Sequence, residues 1–336
     1  MEEPRITLKE VFDRGTWSSM ESDLVTSHLY TSWMWGEYKR GQGWSIRRIS
    51  VVDNKTNRVL GCFQLQSKKV ARLVTVFLVQ GGIHLTEASG VEYEATVEGF
   101  LRTFVEKHSP AIAMVYHRAE WADELQVSFL KNGFTPIQAS NQYTYFVERA
   151  TGGLDGHRLS GNWRHNLKRA QKKNISVEWV ETVPERLAAL RSLEQMYAAL
   201  RERKSFGSAV DFERARGMIA ETPEFKIAIA RLGDEVLAIR VGYACGDHVF
   251  DFLAASTAAA RKTYANYLLV WEMISMARDS GKAYFDCGGI NPGASMGVFN
   301  FKKGIGGRVG LMGPIWVRGS TKLLTRVGRF LLSLTA

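Results

Sequence analysis

The sequence has no apolar run that approaches the ~20 residues with which a helix crosses a bilayer. Its first ten residues, MEEPRITLKE, lack the basic start and the apolar stretch of a signal peptide. Its three cysteines, Cys62, Cys245 and Cys287, lie far apart and show no C-x-x-C spacing. We therefore expect a cytoplasmic protein without a bound metal, in which the cysteines are small core residues.

Proline is also scarce, with seven residues, and the absence of any low-complexity tract argues against a long flexible linker. The 336 residues suit two domains of about 150–170 residues each. A content of 45% hydrophobic and 23% charged residues is typical of a folded chain. The formal net charge of +10 indicates an anionic partner: nucleic acid, a phosphate-rich cofactor, a diphosphate-linked lipid carrier or an anionic membrane surface.

One pattern occurs twice along the chain. In the first half, SIRRISVVD and RVLGCFQLQ flank a polar turn and predict a β-hairpin. In the second half, FKIAIARL and EVLAIRVGYA flank Gly233 and Asp234 and predict another hairpin. A helical stretch and a short apolar strand follow each hairpin, at an offset of roughly 170–180 residues. The repeat predicts a duplicated α/β domain, with its junction near the glycine cluster at residues 152–156.

The most unusual segment is FDCGGINPGASMGVFNFKKGIGG, residues 285–307. Gly288 and Gly289 follow a predicted strand, where glycine lets backbone N–H groups come close to a ligand. Tight turns alone would explain one glycine pair more easily than the two pairs found here. Lys302 and Lys303 stand beside Phe301, so a cation next to an apolar wall is available to stabilise negative charge.

Two further segments indicate anion binding. Residues 161–174, GNWRHNLKRAQKKN, predict a helix with an apolar stripe and with cations, including Arg164, on its other faces. This helix fits either a solvated basic surface or a phosphate-binding surface. RKTYANYLL opens the predicted helix of the second half, so Arg261, Lys262 and Asn266 would lie at a helix start, which favours anions. Together with Lys303, they are the candidates for binding the donor.

Aromatic and titratable residues provide other candidates. Residues 32–44, SWMWGEYKRGQGW, fit core packing or an aromatic and basic face for a sugar or nucleotide that would include Trp35. Asp251 lies within the apolar run VFDFLAAS, where a carboxylate needs an ion-pair partner or a function. Tyr116 and His117 follow an apolar strand, where the histidine is either structural or in contact with substrate.

Together these segments resemble the Fem aminoacyltransferases, which add amino acids from aminoacyl-tRNA to the peptide of cell-wall precursors and consist of two tandem GNAT-like domains. Residues 32–44 are similar to the early W-x-x-x-K segment of that family, and NWRHNLKRAQKKNISVEW to the basic helix that opens its second domain. The strongest match is residues 285–307, similar to its D-x-G-G…F-K pattern. The resemblance implies an α+β fold with mixed, mostly antiparallel sheets flanked by helices, and GNAT-like domains at 1–150 and 155–315.

By position, the resemblance implies that Lys39 and Arg203 bind the phosphates of a precursor, and that Phe301 and Lys302 lie at the reacting centre. The sequence departs from the family at two places. Asp251 lies in a strand in which the family has tyrosines. The acidic residue with which the family's first domain contacts the substrate is replaced around Tyr116 and His117. The acceptor is therefore left open. The proton of the acceptor amine could pass to Asp251, to the histidine after the first-domain strand, or to the substrate itself.

The implied reaction is attack of an amine on an activated acyl carbonyl, with no bound cofactor. Three classes stay open. The first, slightly favoured, transfers from aminoacyl-tRNA to an envelope precursor linked to a nucleotide or lipid diphosphate. The second transfers from acyl-CoA to an amino sugar of an envelope polysaccharide, although the usual CoA phosphate loop is absent in clean form. The third is a non-catalytic nucleotide-binding regulatory module. We expect a monomer in each case.

Residues 316–336 include STKLLTRVGRFLLSL, in which apolar residues recur at helical spacing with cations between them. This pattern predicts an amphipathic C-terminal helix. Such a helix either docks on the second domain or lies in the interface of the cytoplasmic membrane, where a basic polar face is favoured.

Overall fold

The computed structural model describes residues 4–22, 28–86, 90–116, 123–138, 143–203 and 210–333. The chain forms two compact units. The first combines Met1–Gln142 with Leu311–Ala336, and the second is Tyr143–Gly310.

In the described ranges, the strands are β1 (Ile6–Glu10), β2 (Ser45–Asp53), β3 (Val59–Val70), β4 (Val74–Val79), β5 (His84–Leu85), β6 (Ala111–Tyr116), β7 (Thr135–Ile137), β8 (Tyr143–Glu148), β9 (Ser176–Val180), β10 (Phe225–Leu232), β11 (Glu235–Cys245), β12 (His248–Ser256), β13 (Tyr284–Gly289), β14 (Arg308–Leu311) and β15 (Ile315–Gly319).

The helices of the same ranges are α1 (Arg14–Ser22), α2 (Trp33–Gly41), α3 (Gly90–Phe100), α4 (Asp123–Lys131), α5 (Gly161–Gln171), α6 (Val183–Arg203), α7 (Phe212–Glu221), α8 (Ala258–Thr263), α9 (Ala265–Asp279), α10 (Met296–Gly304) and α11 (Lys322–Ser333). A 3-10 turn, Leu29–Thr31, precedes α2, and α3 continues into a π-helical stretch, Leu101–Glu106.

The two units repeat one sheet order. The first sheet runs β1-β2-β3-β4-β6-β15-β7, with β5 added to β3, and the second runs β9-β10-β11-β12-β13-β8-β14. In each sheet the first four strands pair antiparallel, and one parallel pair follows, β4 with β6 or β12 with β13. The predicted fold, two similar α+β units with mixed sheets flanked by helices, is confirmed.

Each sheet buries one face under a helix whose apolar side chains recur every three or four residues, which fixes that helix on the sheet. In the first unit, Val97, Phe100 and Phe104 pack on strands that contribute Phe63 and Val79. In the second unit, the core contains α5 and α9, with the residues Trp163, Leu167, Leu269, Met273 and Ile274 against Phe285. Cys62 and Cys287 are buried as predicted, whereas Cys245 is partly exposed.

The predicted domain boundaries need correction, because each sheet takes one strand from beyond its own segment. β8 follows β7 in the chain but lies in the second sheet, and β15 follows β14 but lies between β6 and β7. The first unit therefore ends at residue 142 and recovers residues 311–336. Helix α11 packs on β15 and β6, so the alternative that placed it on the second domain is wrong. Short apolar segments such as YTYFVE and IWVRG do not indicate which distant strand they pair with.

Within the part of the chain that the structure describes, no helix is long and apolar enough to cross a membrane.

Candidate active site

The parallel strands β12 and β13 pair over three positions only. His248 pairs with Tyr284, Val249 with Phe285 and Phe250 with Asp286. Strand β12 continues to Ser256 beyond this pairing, and a bulge in its ladder with β11 falls at the same level. An extended ligand can bind where the pairing of two strands ends, because backbone N–H and C=O groups beyond the last pair are not used by the ladder.

The end of β13 is shaped by Asp286 and Gly288. The carboxylate of Asp286 is buried and accepts hydrogen bonds from Thr144 Oγ1 at 2.5 Å and from the backbone N–H of Gly288 at 2.8 Å. Gly288 has a φ of +76°, which lies in the left-handed region that favours glycine. A Cβ there would lie 3.4 Å from the backbone oxygen of Asp251 and 3.6 Å from Lys302 Nζ. The strand end thus brings Gly288, Asp251 and Lys302 together.

Lys302 reaches this point from helix α10. Its Nζ donates a hydrogen bond of 2.8 Å to the carbonyl oxygen of Gly289. Its neighbour Phe301 is partly buried between helices α5 and α9, with ring centroids 5.8 Å from Trp163 and 5.0 Å from Tyr267. Phe301 therefore fixes the last turn of α10, and Lys302 places an ammonium group beside the glycine pair. Lys303 is exposed.

Asp251 is held by an ion pair with Arg240 on the neighbouring strand β11, and both side chains are about nine-tenths buried. Among the described residues, Asp251 Oδ2 bonds Arg240, whereas Asp251 Oδ1 is buried without a hydrogen-bond partner. Tyr197 from α6 lies next to this pair, and its hydroxyl oxygen accepts a hydrogen bond of 3.4 Å from Ala254 N. Burial raises the pKa of Tyr197, and the charge of Asp251 adds to that effect. The tyrosine is therefore a neutral hydroxyl at physiological pH.

Cys287 lies among these groups but is not suited to attack an acyl group. Burial raises the pKa of its thiol, Asp251 raises it further, and Lys302 opposes them. Because the thiolate is the reactive form of cysteine, the buried thiol is inert.

Helix α9 begins beside the far end of β12, since Asn266 Nδ2 donates a hydrogen bond of 3.0 Å to Ser256 Oγ. The segment RKTYANYLL was expected to form one helix, but Tyr264 at φ +62° separates α8 from α9. The left-handed residue ends α8. Arg261 and Lys262 are exposed in the last turn of α8, so their predicted position at a helix start is wrong. The Arg169 guanidinium of α5 lies 4.4 Å from the Tyr264 ring centroid. The start of α9 therefore has cations on two neighbouring helices.

The first unit places Trp35 and Lys39 on helix α2. Trp35 Nε1 donates a hydrogen bond of 3.1 Å to Gln80 Oε1, and Lys39 Nζ lies 5.2 Å from the Trp35 ring centroid. Burial lowers the pKa of Lys39. Tyr116 ends β6, which runs parallel to β4, so Gln80 and Tyr116 follow at the same edge of the sheet. Trp35, Lys39 and Tyr116 therefore belong to one edge, as a shared binding surface requires.

The remaining predicted residues are not placed in a site. His117 lies outside the described residues, as does the side chain of Arg203, whose backbone ends α6. Arg164 is exposed and donates a hydrogen bond of 3.1 Å to the Leu159 carbonyl, near the start of its own helix.

Sequence reasoning missed Arg240, Tyr197 and the Thr144–Asp286 contact. A signal for Arg240 existed, because EVLAIRVGYA buries a cation in an apolar strand just as VFDFLAAS buries a carboxylate in the next strand. Buried charges in adjacent strands of one hairpin are expected to pair. Tyr197 and Thr144 come from distant segments and have no such signal.

The duplicated mixed sheet with its flanking helices defines a tandem GNAT-like fold. Residues 161–303 match the family model described as an acetyltransferase (GNAT) domain. The match covers less than half of the chain and falls within the second unit.

Solved structures share the fold of the whole chain. FemX is similar with a TM-score of 0.79 at 15% identity, over 96% of this chain and 99% of that chain. L-PGS from Bacillus licheniformis has a TM-score of 0.58 at 15% identity, over 94% and 96%. A tandem GNAT protein from the clavulanic acid biosynthesis pathway has a TM-score of 0.54 at 9% identity, over 94% and 99%. The predicted likeness to the Fem fold is confirmed. No curated protein sequence matches the chain.

Proposed function

We propose that the second unit transfers an aminoacyl or acyl group from an activated ester or thioester to an amine of a cell-envelope glycan precursor. The observation that supports this most is the position of Lys302, whose ammonium lies at the end of β13, beyond the last residue pair of β12 and β13. An ammonium has three N–H donors, so one bond to Gly289 leaves two for a developing oxyanion.

In this proposal the acceptor amine attacks the acyl carbonyl carbon, and the carbonyl oxygen becomes an oxyanion that Lys302 stabilises. Collapse of the tetrahedral intermediate forms the amide and expels the ester oxygen or thioester sulfur, which takes up a proton. The amine loses one proton in the same sequence. Because such donors are already activated, positioning of the two substrates and stabilisation of the charge account for the catalysis.

Asp251 is proposed to orient the amine. Its ion pair with Arg240 holds the carboxylate in place, and Oδ1 has no hydrogen-bond partner among the described residues. A buried acceptor oxygen beside the reacting centre favours an N–H donor from the substrate. The proton acceptor is either this carboxylate or a substrate group, and His117 is kept as a candidate.

Aminoacyl-tRNA is proposed as the donor. Arg164, Lys168, Arg169, Lys172 and Lys173 are exposed on α5 and the turn after it, and Arg261 and Lys262 add to the basic surface of this unit. So many cations suit a polyanion better than a single diphosphate. The second candidate donor is acyl-CoA, which the GNAT match of residues 161–303 favours.

The proposed acceptor class rests on the resemblance to the Fem enzymes and on the fold shared with FemX. Lys39, half-buried against Trp35, and Arg203 are proposed to bind precursor phosphates. A cation that is partly shielded from water gains more from a phosphate than an exposed one does.

The test incubates the protein with charged tRNAs or acyl-CoAs and with envelope precursors, and then measures product masses. We expect a mass increase equal to one acyl group on the precursor, which Lys302→Met abolishes. If precursors and nucleotides bind but no donor yields product, the protein is instead the non-catalytic regulatory module.

A further inference from the structure

Helix α11 has more apolar surface than the first sheet covers. One stripe faces the sheet: Leu324 and Leu332 pack against the cluster that contains Ile112 and Val317. Gly328 lies in the same stripe, where a Cβ would be 3.0 Å from side-chain atoms of Ile112 and Val317. This stripe accounts for the docking of α11 on its own unit.

A second apolar stripe of α11 faces solvent. Its members are Leu323, Val327, Phe330 and Leu331, with exposed fractions of 69%, 40%, 63% and 53%. At about 100° per residue, these side chains share an arc of roughly 100° beside the stripe that faces the sheet. Four large exposed apolar side chains on about two turns of helix are unusual for a surface that stays in water.

The third stripe of α11 is basic. Lys322, Arg326 and Arg329 are exposed. They line one edge of the solvent-facing side of the helix, and the exposed apolar stripe lines the other edge. Residues 320–333 contain no acidic side chain. The helix therefore presents apolar and cationic stripes side by side.

The turn between β3 and β4 also presents exposed apolar and cationic side chains side by side, as helix α11 does. Val70 and Leu73 are 51% and 74% exposed, and the exposed cations beside them are Lys68, Lys69 and Arg72. Residues 67–74 also contain no acidic side chain.

This turn lies at the edge of the sheet where α11 begins. Ala111 pairs with Thr75 on one side, and on the other side it accepts a hydrogen bond of 2.8 Å from Ser320 N, just before α11. Two neighbouring strand spacings, about 10 Å, therefore separate the start of β4 from the start of α11. The side chain of Val74 packs against the same cluster as Leu324, which places both on one face of the sheet.

We propose that the outer side of α11 and the β3–β4 turn together form a docking surface for an anionic lipid bilayer. The apolar side chains would enter the headgroup region, while the cations contact lipid phosphates. A second copy of the chain is a poorer occupant. A twofold contact places each surface against itself, so the six cations named above would face six identical cations. This surface lies in the first unit and does not depend on the chemistry proposed for the second unit.

The experiment measures co-sedimentation of the full-length protein with vesicles of phosphatidylcholine alone and of phosphatidylcholine with phosphatidylglycerol. We expect binding to the anionic vesicles that weakens with added salt. Replacing Leu323, Phe330 and Leu331 together by serine should weaken it at least tenfold. The matched control is Val127→Ser with Leu130→Ser on α4, whose side chains are 50% and 56% exposed in the same unit, and it should bind like the wild type.

A second variant, Arg326→Glu with Arg329→Glu, tests the charge without changing the apolar stripe. Each lost contact with an anionic surface should weaken binding about fivefold, and reversal of the charge by more. The proposal is overturned if the wild type ignores anionic vesicles or if the serine variant binds like the wild type. It is also overturned if light scattering shows a wild-type dimer that the serine variant dissociates, with no vesicle binding.

Discussion

Lys302 Nζ lies 2.8 Å from the carbonyl oxygen of Gly289, and this bond joins helix α10 to the last residue of strand β13. The contact depends on Gly288, the residue before Gly289. Gly288 turns the chain at φ +76° and has no side chain that would displace the ammonium group of Lys302. The glycine pair and the lysine thus form one structural unit, although thirteen residues separate Lys302 from Gly289.

Gly288→Ala should reduce both stability and activity. An alanine in the left-handed region costs about 1–2 kcal/mol, and its Cβ would contact Lys302 Nζ. The matched control is Gly281→Ala, which has φ +75° but no neighbouring atom within 4 Å. Urea denaturation should show similar losses of unfolding free energy for the two variants, while only Gly288→Ala lowers kcat. Equal kcat values in the two variants would show that the turn at Gly288 does not contribute to the chemical step.

Cys287→Ala should keep most of its activity, because the buried thiol does not become a thiolate near neutral pH. The measurements are kcat for the variant and a thiol-reagent titration of the native wild type. We expect the partly exposed Cys245 to react in the folded protein, and Cys62 and Cys287 only after unfolding. A covalent acyl adduct on Cys287 would contradict direct attack by the amine.

Neutralising the basic helix should weaken donor binding. With Arg164, Lys168 and Arg169 changed to glutamine, the slope of log affinity against log salt should fall by roughly two to three units if all three contact tRNA phosphates. The matched control changes three exposed cations of the first unit, Lys55, Arg102 and Lys107, to glutamine. Affinity for charged tRNA, measured at several salt concentrations, decides the matter. If the salt slope of the α5 variant equals that of the wild type, the cations of α5 form a solvated surface that does not bind the donor.

His84 should make the free energy of unfolding depend on pH. Burial lowers the pKa of this histidine from 6.5 to about 4, although its hydrogen bond to the Gly81 carbonyl opposes the shift. Because the unfolded chain takes up the proton first, stability should fall as the pH drops from 6.5 towards 4, by an amount on the order of 3 kcal/mol. Urea denaturation between pH 7 and pH 4 measures it. In His84→Gln this part of the pH dependence should be absent, and its persistence would assign it to another group.

The sequence predicted the elements that have a local pattern. Alternation, helical spacing and turn residues predict the two hairpins, the helix after each and the glycine loop before Lys302. Asp251 stands out because a carboxylate is rare in an apolar strand. The pairing partners of β8 and β15 were not predictable, since strand pairing depends on distant hydrogen bonds. The break at Tyr264 was also missed, because nothing in RKTYANYLL marks a left-handed residue. Arg240 and Tyr197 enter the site only through the folding of the second sheet.

The role of Lys302 as the oxyanion-stabilising cation is tested by the rate of acyl transfer by Lys302→Met, measured in a single turnover with saturating donor and acceptor. Loss of one donor to an oxyanion commonly lowers the rate by about 10²–10³. The matched control is Lys303→Met, which changes the exposed neighbouring cation and should retain the wild-type rate. We expect a large loss of rate in Lys302→Met alone, with a Tm lowered by no more than a few degrees by the lost bond to Gly289 and with unchanged substrate affinity. A wild-type rate in a folded Lys302→Met protein would contradict it.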